Sequence, residues 1–189
     1  MSSNFVPLTA LELVARINKI PRVNLAQLPT ALEFAPNISK ELNINLYIKR
    51  DDCTGLAFGG NKTRHLEFII AKALSGDYDC ILTGASSQSN FCRQAVAAAN
   101  KLNLDSFLVL MHGIKGKMMQ GNFLLYNILG ANVNVVEGED LEQIPKHLDL
   151  KYNELIKEGR KPLLIYGGFG EEDTVLAGIS YANAMAEID

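Results

Sequence analysis

The chain contains no tryptophan, only three cysteines among 189 residues, and no apolar run approaching 18 residues. The last absence argues against a membrane-spanning helix. Cys53, Cys80 and Cys92 are odd in number and far apart. They form no Cys-x-x-Cys pair and no metal-ligand spacing with His65, His112 or His147. A reduced, cytoplasmic compartment is therefore expected, and the N-terminus shows no basic segment leading into an apolar core, so no signal peptide is expected. Basic residues are in deficit, with 18 Lys and Arg against 21 Asp and Glu, a net charge of −3. Nucleic-acid binding usually requires the opposite balance, so no nucleic-acid partner and no membrane partner are expected. There is no internal repeat and no low-complexity linker. Instead, 48% of residues are hydrophobic and 21% charged, the composition of a globular chain with a real core.

From residue 79 onward, two periods alternate. Residues 79–83 form a short apolar run, which reads as a buried strand ending in the small polar stretch 84–87. Residues 89–103 carry Ala95, Val96, Ala98, Ala99 and Leu102 at helical spacing. A strand over 106–111, a helix over 122–129 with Gly130 as its stop, and a strand over 133–136 come next. Residues 140–157 read as a helix interrupted or kinked near Pro145, 162–166 as a fourth strand, and 174–188 as another helix. Strands separated by helices imply an α/β fold with a parallel sheet. Ligands of such sheets sit where strands lead into helices, which points to 84–90, 112–117 and 167–173. Upstream, residues 9–19 read as a helix, 20–30 as irregular, and 45–50 as a strand followed by a Gly-rich loop. The chain closes on a helical pattern, and a further strand is expected after it.

Two places could carry chemistry. In Gly59-Gly60-Asn61-Lys62-Thr63-Arg64, paired glycines allow a tight turn and place Lys62 at a helix start. There the dipole field disfavours its ammonium form, which suits an amine that must attack a carbonyl. A solvated turn lysine is about equally consistent with position alone. The stretch from Gly55 to Thr63 nearly matches the phosphate-loop pattern, but Asn61 intervenes before Lys62-Thr63, so a nucleotide triphosphatase is rejected. The second place is Ser86-Ser87-Gln88-Ser89-Asn90. Backbone N–H groups at a helix N-terminus bind anions, although taken alone these residues are better explained by plain N-capping through Ser87 or Ser89; a second such loop with a poised lysine strengthens the ligand reading. A carboxylate on that helix end and a carbonyl on Lys62 would together describe an amino-acid site.

Residues 59–68, Gly-Gly-Asn-Lys-Thr-Arg-His-Leu-Glu-Phe, followed by Gln88-Ser89-Asn90-Phe91-Cys92-Arg93-Gln94, resemble the 1-aminocyclopropane-1-carboxylate deaminase / D-cysteine desulfhydrase family. These are pyridoxal-phosphate enzymes of the tryptophan-synthase-β type. The resemblance covers nearly the whole chain, including residues 48–52, Gly121-Asn122, 129–131 and 159–162. It implies pyridoxal 5'-phosphate as cofactor, a small amino-acid substrate and a homodimer. Lys62 would form the internal aldimine and shuttle protons. Asn90 would bond the phenolic oxygen of the cofactor, Asn61 would support the lysine and the cofactor, and Asn90 and Phe91 would also meet the substrate. Ser89 would bind the substrate carboxylate or attack the ligand, and Gln88 would help to hold that carboxylate. Phe91 stands where many members carry Gln or His, so substrate contacts are expected to differ.

The resemblance also implies a two-domain fold, with residues 56–160 as the small cofactor-facing domain. Residues 1–55 and 161–189 would be pieces of a larger domain whose C-terminal part is missing. Family members continue past Asp189 into the Gly/Ser/Thr-rich loop that cradles the cofactor phosphate. The 189-residue chain alone is therefore expected to hold cofactor weakly and to be inactive. Two alternatives remain beside deamination or desulfhydration: a non-catalytic remnant of the fold, and a related lyase acting on cysteate.

Overall fold

The structure, a computed structural model, describes residues 7–112, 118–138 and 140–188. Its centre is a four-stranded sheet of β3 (Cys80–Ser86), β4 (Asp105–Met111), β5 (Asn132–Val136) and β6 (Pro162–Ile165), in the order β5-β4-β3-β6. Every pairing in it is parallel. Helices α4 (Asn90–Lys101), α5 (Gly121–Ile128) and α6 (Ile144–Lys157) connect these strands. The α/β class and its strand–helix alternation are as expected.

Strand periodicity sorts the core. Leu108 and Leu110 of β4 pack with Val96 of α4 and with Phe123 and Tyr126 of α5. Val109 and Met111 point to the other face and meet Ile144, Leu148 and Leu155 of α6. Likewise, Ile81 of β3 faces Ala95, Ala98 and Ala99, while Leu82 faces α6. Both faces are covered, which is why these strands are continuously apolar rather than alternating.

One sequence expectation changes here, and another is settled between its alternatives. Strand β3 does not stop at Thr83 but runs through Ser86, pairing Gly84, Ala85 and Ser86 with Val109, Leu110 and Met111. Gly84 is a strand residue because nothing larger fits: a Cβ there would lie 2.4 Å from the Val109 carbonyl oxygen and against Ile144 and Leu148. The connection to α4 is thus shorter than the expected 84–90. Near Pro145 the segment is interrupted rather than kinked. Asp140 caps a separate 3-10 turn (Leu141–Gln143) through the Glu142 N–H, and α6 begins at Ile144. Pro145 therefore lies in the first turn of α6, where its missing N–H has no intrahelical role.

The N-terminal region holds α1 (Ala10–Ile17), whose Thr9 and Glu12 form a reciprocal capping box. It also holds a ribbon of β1 (Leu32–Phe34) antiparallel to β2 (Tyr47–Lys49), with α2 (Pro36–Leu42) between them. β1 and α2 fall outside the sequence expectations, because three- and seven-residue elements carry too little periodicity to register. Helix α3 (Lys62–Ile69) continues into a 3-10 turn (Ile70–Leu74) and packs on α7 (Glu171–Met185). The unit expected to end at residue 160 shares its sheet with the next strand: β6 pairs with β3 from Cys80↔Pro162 to Thr83↔Ile165. Of the three expected ligand loops, residues 113–117 lie outside the described residues.

Candidate active site

The loop before α3 is wound in the left-handed region for four residues: Ala57 (φ 45°), Phe58 (φ 69°), Gly59 (φ 72°) and Gly60 (φ 125°). Such backbone is costly for Ala and Phe and persists only where its surroundings enforce it. The enforcement comes from α4. Arg93 donates from Nη1 to the Ala57 carbonyl and from Nη2 to the Gly59 carbonyl at 3.2 Å. Gln94 Nε2 donates to the same Gly59 carbonyl at 2.9 Å, and its Oε1 accepts from the Thr63 hydroxyl at 2.7 Å. The paired glycines and the helix start at Lys62 thus take the form expected of them, and the Gln-Ser-Asn helix carries the residues that grip them.

Lys62 opens α3 and lines a cavity of about 240 Å³ with His65, Ile69, Phe91, Gly167, Gly168, Asp173, Thr174 and Ala177. Phe91 supplies an apolar wall and also packs against the core beside α4. The loop opposite is held shut by Asp173, whose Oδ2 accepts from the Gly167 N–H at 2.9 Å. Lys62 and Phe91 are the two predicted site residues brought to this cavity.

The other four do not line it. Asn61 precedes Lys62 and donates from its side-chain amide to the Tyr181 hydroxyl on α7. Ser89 is the N-cap of α4: its Oγ accepts from the Cys92 N–H at 3.3 Å, and its carbonyl accepts from the Tyr126 hydroxyl at 2.8 Å. Gln88 and Asn90 are tied to the start of α5. Asn122 donates from Nδ2 to the Gln88 carbonyl at 2.8 Å and to Asn90 Oδ1 at 2.9 Å.

Two neighbours of Lys62 carried no assigned role in the sequence. His65 lies three residues on, hence on the same face of α3. That spacing was a usable signal, because the motif already contained it. The side chain is buried, and Nε2 has no hydrogen-bond partner among the described residues. Burial, with a further push from the nearby positive charge of Lys62, lowers His65 to about 4, so its imidazole is neutral at neutral pH. Tyr181 stacks edge-on against His65 at 4.9 Å. It lies 120 residues from Asn61, and no local pattern could have found it.

The cavity suits the aldehyde end of a cofactor such as pyridoxal phosphate. It offers an amine at a helix start, an aromatic wall, and a buried imidazole nitrogen still lacking a partner. Among the described residues, no helix is long and apolar enough to cross a membrane.

The chain is similar to known proteins. The crystal structure of an ACC deaminase homologue superposes with a TM-score of 0.84 at 38% identity, over 93% of this chain and 52% of that one. A Pyrococcus horikoshii protein, named provisionally as a 1-aminocyclopropane-1-carboxylate deaminase, is 38% identical over 178 residues, 94% of this chain and 53% of that protein. D-cysteine desulfhydrase from Klebsiella pneumoniae is 34% identical over 177 residues, 91% of this chain and 52% of that protein. Apo diaminopropionate ammonia lyase from Escherichia coli, only 14% identical, shares the fold with a TM-score of 0.63. The chain spans about half the length of the curated relatives it matches. With residues 23–189 matching the model of that family, the chain belongs to the pyridoxal-phosphate dependent enzymes.

Proposed function

We propose that this chain forms the lysine-bearing half of an enzyme that deaminates a small amino acid or eliminates a group from it, releasing a 2-oxo acid and ammonia. The D-cysteine desulfhydrase and 1-aminocyclopropane-1-carboxylate deaminase activities named among its relatives are the two substrate types this reading favours. The observation that carries it is Lys62 on the first turn of α3, facing a cavity walled by Phe91 and bounded by the Gly167 loop.

Bound pyridoxal phosphate would act as the electron sink for charge left on the substrate carbon. The residues of the chain divide the remaining work. Lys62 holds the cofactor through its amine and moves protons at Nζ. Asn61, anchored on Tyr181, supports the backbone from which Lys62 projects. Asn90 lies at the first position of α4 and bonds the ring oxygen of the cofactor. Gln88, Ser89 and the free N–H groups opening α4 meet the substrate carboxylate, an anion placed at the positive end of a helix. Phe91 keeps water from the Lys62 amine. In this division of the chain, the cofactor-facing unit begins near residue 56, and the sheet it uses extends through β6.

The test is chemical labelling. Borohydride reduction in the presence of pyridoxal phosphate, followed by peptide mapping, should place the pyridoxyl group on Lys62 and lose it in Lys62→Ala. A label on Lys49 or Lys72 instead overturns the assignment. Assays on D-cysteine, aminocyclopropane carboxylate and cysteate then decide the leaving group.

A further inference from the structure

The contacts around Asn90 form a relay whose direction is set by chemistry at both ends. A guanidinium carries donors only, so Asn90 must turn its oxygen to Arg93, and Arg93 Nη2 lies 3.2 Å from Asn90 Oδ1. A backbone carbonyl only accepts, so Asn122 must turn its NH2 to the Gln88 carbonyl, and does so at 2.8 Å. The second hydrogen of that NH2 goes to Asn90 Oδ1 at 2.9 Å. Gln88 is oriented as strictly. Its Oε1 accepts from the Asn122 backbone N–H at 3.0 Å, and its Nε2 donates to the Gln120 carbonyl at 3.0 Å. Arg93 cannot drift, because it is buried and held on the Ala57 and Gly59 carbonyls.

Asn90 Oδ1 therefore accepts two hydrogen bonds, one of them from a cation. The Asn90 NH2 finds no hydrogen-bond partner among the described residues, and Asn90 is exposed. A hydrogen bond accepted at one end of an amide polarises it and strengthens donation at the other.

We propose that Asn122 and Arg93 are positioning residues that hold the Asn90 amide with its NH2 turned outward, making Asn90 an obligate donor to an anionic oxygen. This deepens the proposed function and rests on it for the identity of that oxygen, the phenolic oxygen of the cofactor. The amide cannot turn over to accept instead, because doing so would place NH2 against Arg93 and against the Asn122 NH2.

The orientation is tested without ligand. Side-chain amide NMR should show the Asn122 NH2 exchanging with water at least about tenfold more slowly than the Asn90 NH2, since one hydrogen bond is worth about that factor. A protected Asn90 NH2 overturns the proposal. The acceptor is tested by titrating the chain with pyridoxal 5'-phosphate and with 3-deoxypyridoxal 5'-phosphate, which lacks the oxygen. Asn122→Asp offers only acceptors to Asn90 and should weaken the first ligand about tenfold while leaving the second unchanged. Asn122→Ala should act in the same direction with a smaller loss. Equal losses for both ligands would show a merely structural role and overturn the proposal. Wild-type chain that labels on Lys62 with borohydride yet shows no difference between the two ligands overturns the acceptor assignment, and a chain that labels elsewhere counts against the proposed function instead, with the exchange measurement still deciding the orientation.

Discussion

The side-chain amide of Asn61 donates to the hydroxyl of Tyr181, so the residue before Lys62 is anchored to a helix 120 residues away. Helix α7 holds α3 at further points. The Tyr181 ring stands at 82° to His65, and Glu187, just beyond α7, takes both Nη groups of the buried Arg64 at 2.7 and 2.9 Å. The placement of Lys62 thus depends on a helix that contributes no predicted site residue.

Tyr181→Phe removes the acceptor for Asn61 and keeps the ring beside His65. The expected cost is about 1 kcal/mol, the net value of one hydrogen bond, read from urea unfolding. Tyr181→Ala should cost more, since the ring contact is lost as well. A Tyr181→Phe chain as stable as wild type would show that water replaces the hydroxyl at Asn61.

His65 links stability to pH. Its folded value of about 4 lies below the ordinary 6.5, so between these values the unfolded chain binds more protons than the folded one. Stability contributed by the neutral imidazole is complete above about pH 6.5 and is lost as pH falls toward 4. The full difference corresponds to about 3 kcal/mol. Glu12, Asp79 and Glu187, whose carboxyls are held below their usual range, also lose stability as acid is added. Subtraction isolates His65: the advantage of wild type over His65→Gln should shrink between about pH 7 and pH 4.5. A constant advantage would refute the linkage.

Gly59 and Gly60 are adjacent, but their substitutions should differ. A Cβ on Gly59 would lie 1.9 Å from the Asp52 carbonyl oxygen, a backbone atom that cannot step aside. On Gly60 it would meet the end of the Gln94 side chain at 2.4 Å, which can rotate away by giving up its bond to Gly59. Gly59→Ala is expected to cost about 3 kcal/mol or more and Gly60→Ala clearly less, measured as midpoints of chemical unfolding. Equal costs would mean that the Asp52 turn yields.

Ser89 has a visible structural duty and a proposed chemical one, and two variants separate them. Ser89→Ala removes the cap on Cys92 N–H and should cost about 1 kcal/mol. Ser89→Asp keeps a good cap but puts a negative charge where a substrate carboxylate would bind. It should therefore retain stability while abolishing binding of amino-acid carboxylates, followed by calorimetry. Unchanged carboxylate affinity in Ser89→Asp would leave Ser89 as a cap alone.

Much of this was legible along the chain because it depends on near neighbours. The alternation of apolar runs with helical spacing foretold every strand of the parallel sheet, since the central strands are covered on both faces and must be largely apolar, and the edge strand β5 alternates Asn with Val. Gly59-Gly60 before Lys62, and Ser89 before α4, announced a left-handed turn and a helix cap, both governed by a few adjacent dihedrals. His65 was readable by the same logic, three residues from Lys62 on one helix face.

The rest required the fold. Gly84 to Ser86 look like loop residues and became strand because they pair with Val109, Leu110 and Met111 of β4, and at Gly84 the approach of β4 and α6 leaves no room for a side chain. Tyr181 became the anchor of Asn61 only when α7 packed on α3. The direction of the Asn90 amide is set by Arg93 on one side and Asn122 on the other. Local sequence determined the elements of the parallel sheet and the helix start at Lys62, whereas tertiary packing decided which groups Lys62 and the Asn90 amide face, because those contacts join residues the chain itself holds far apart.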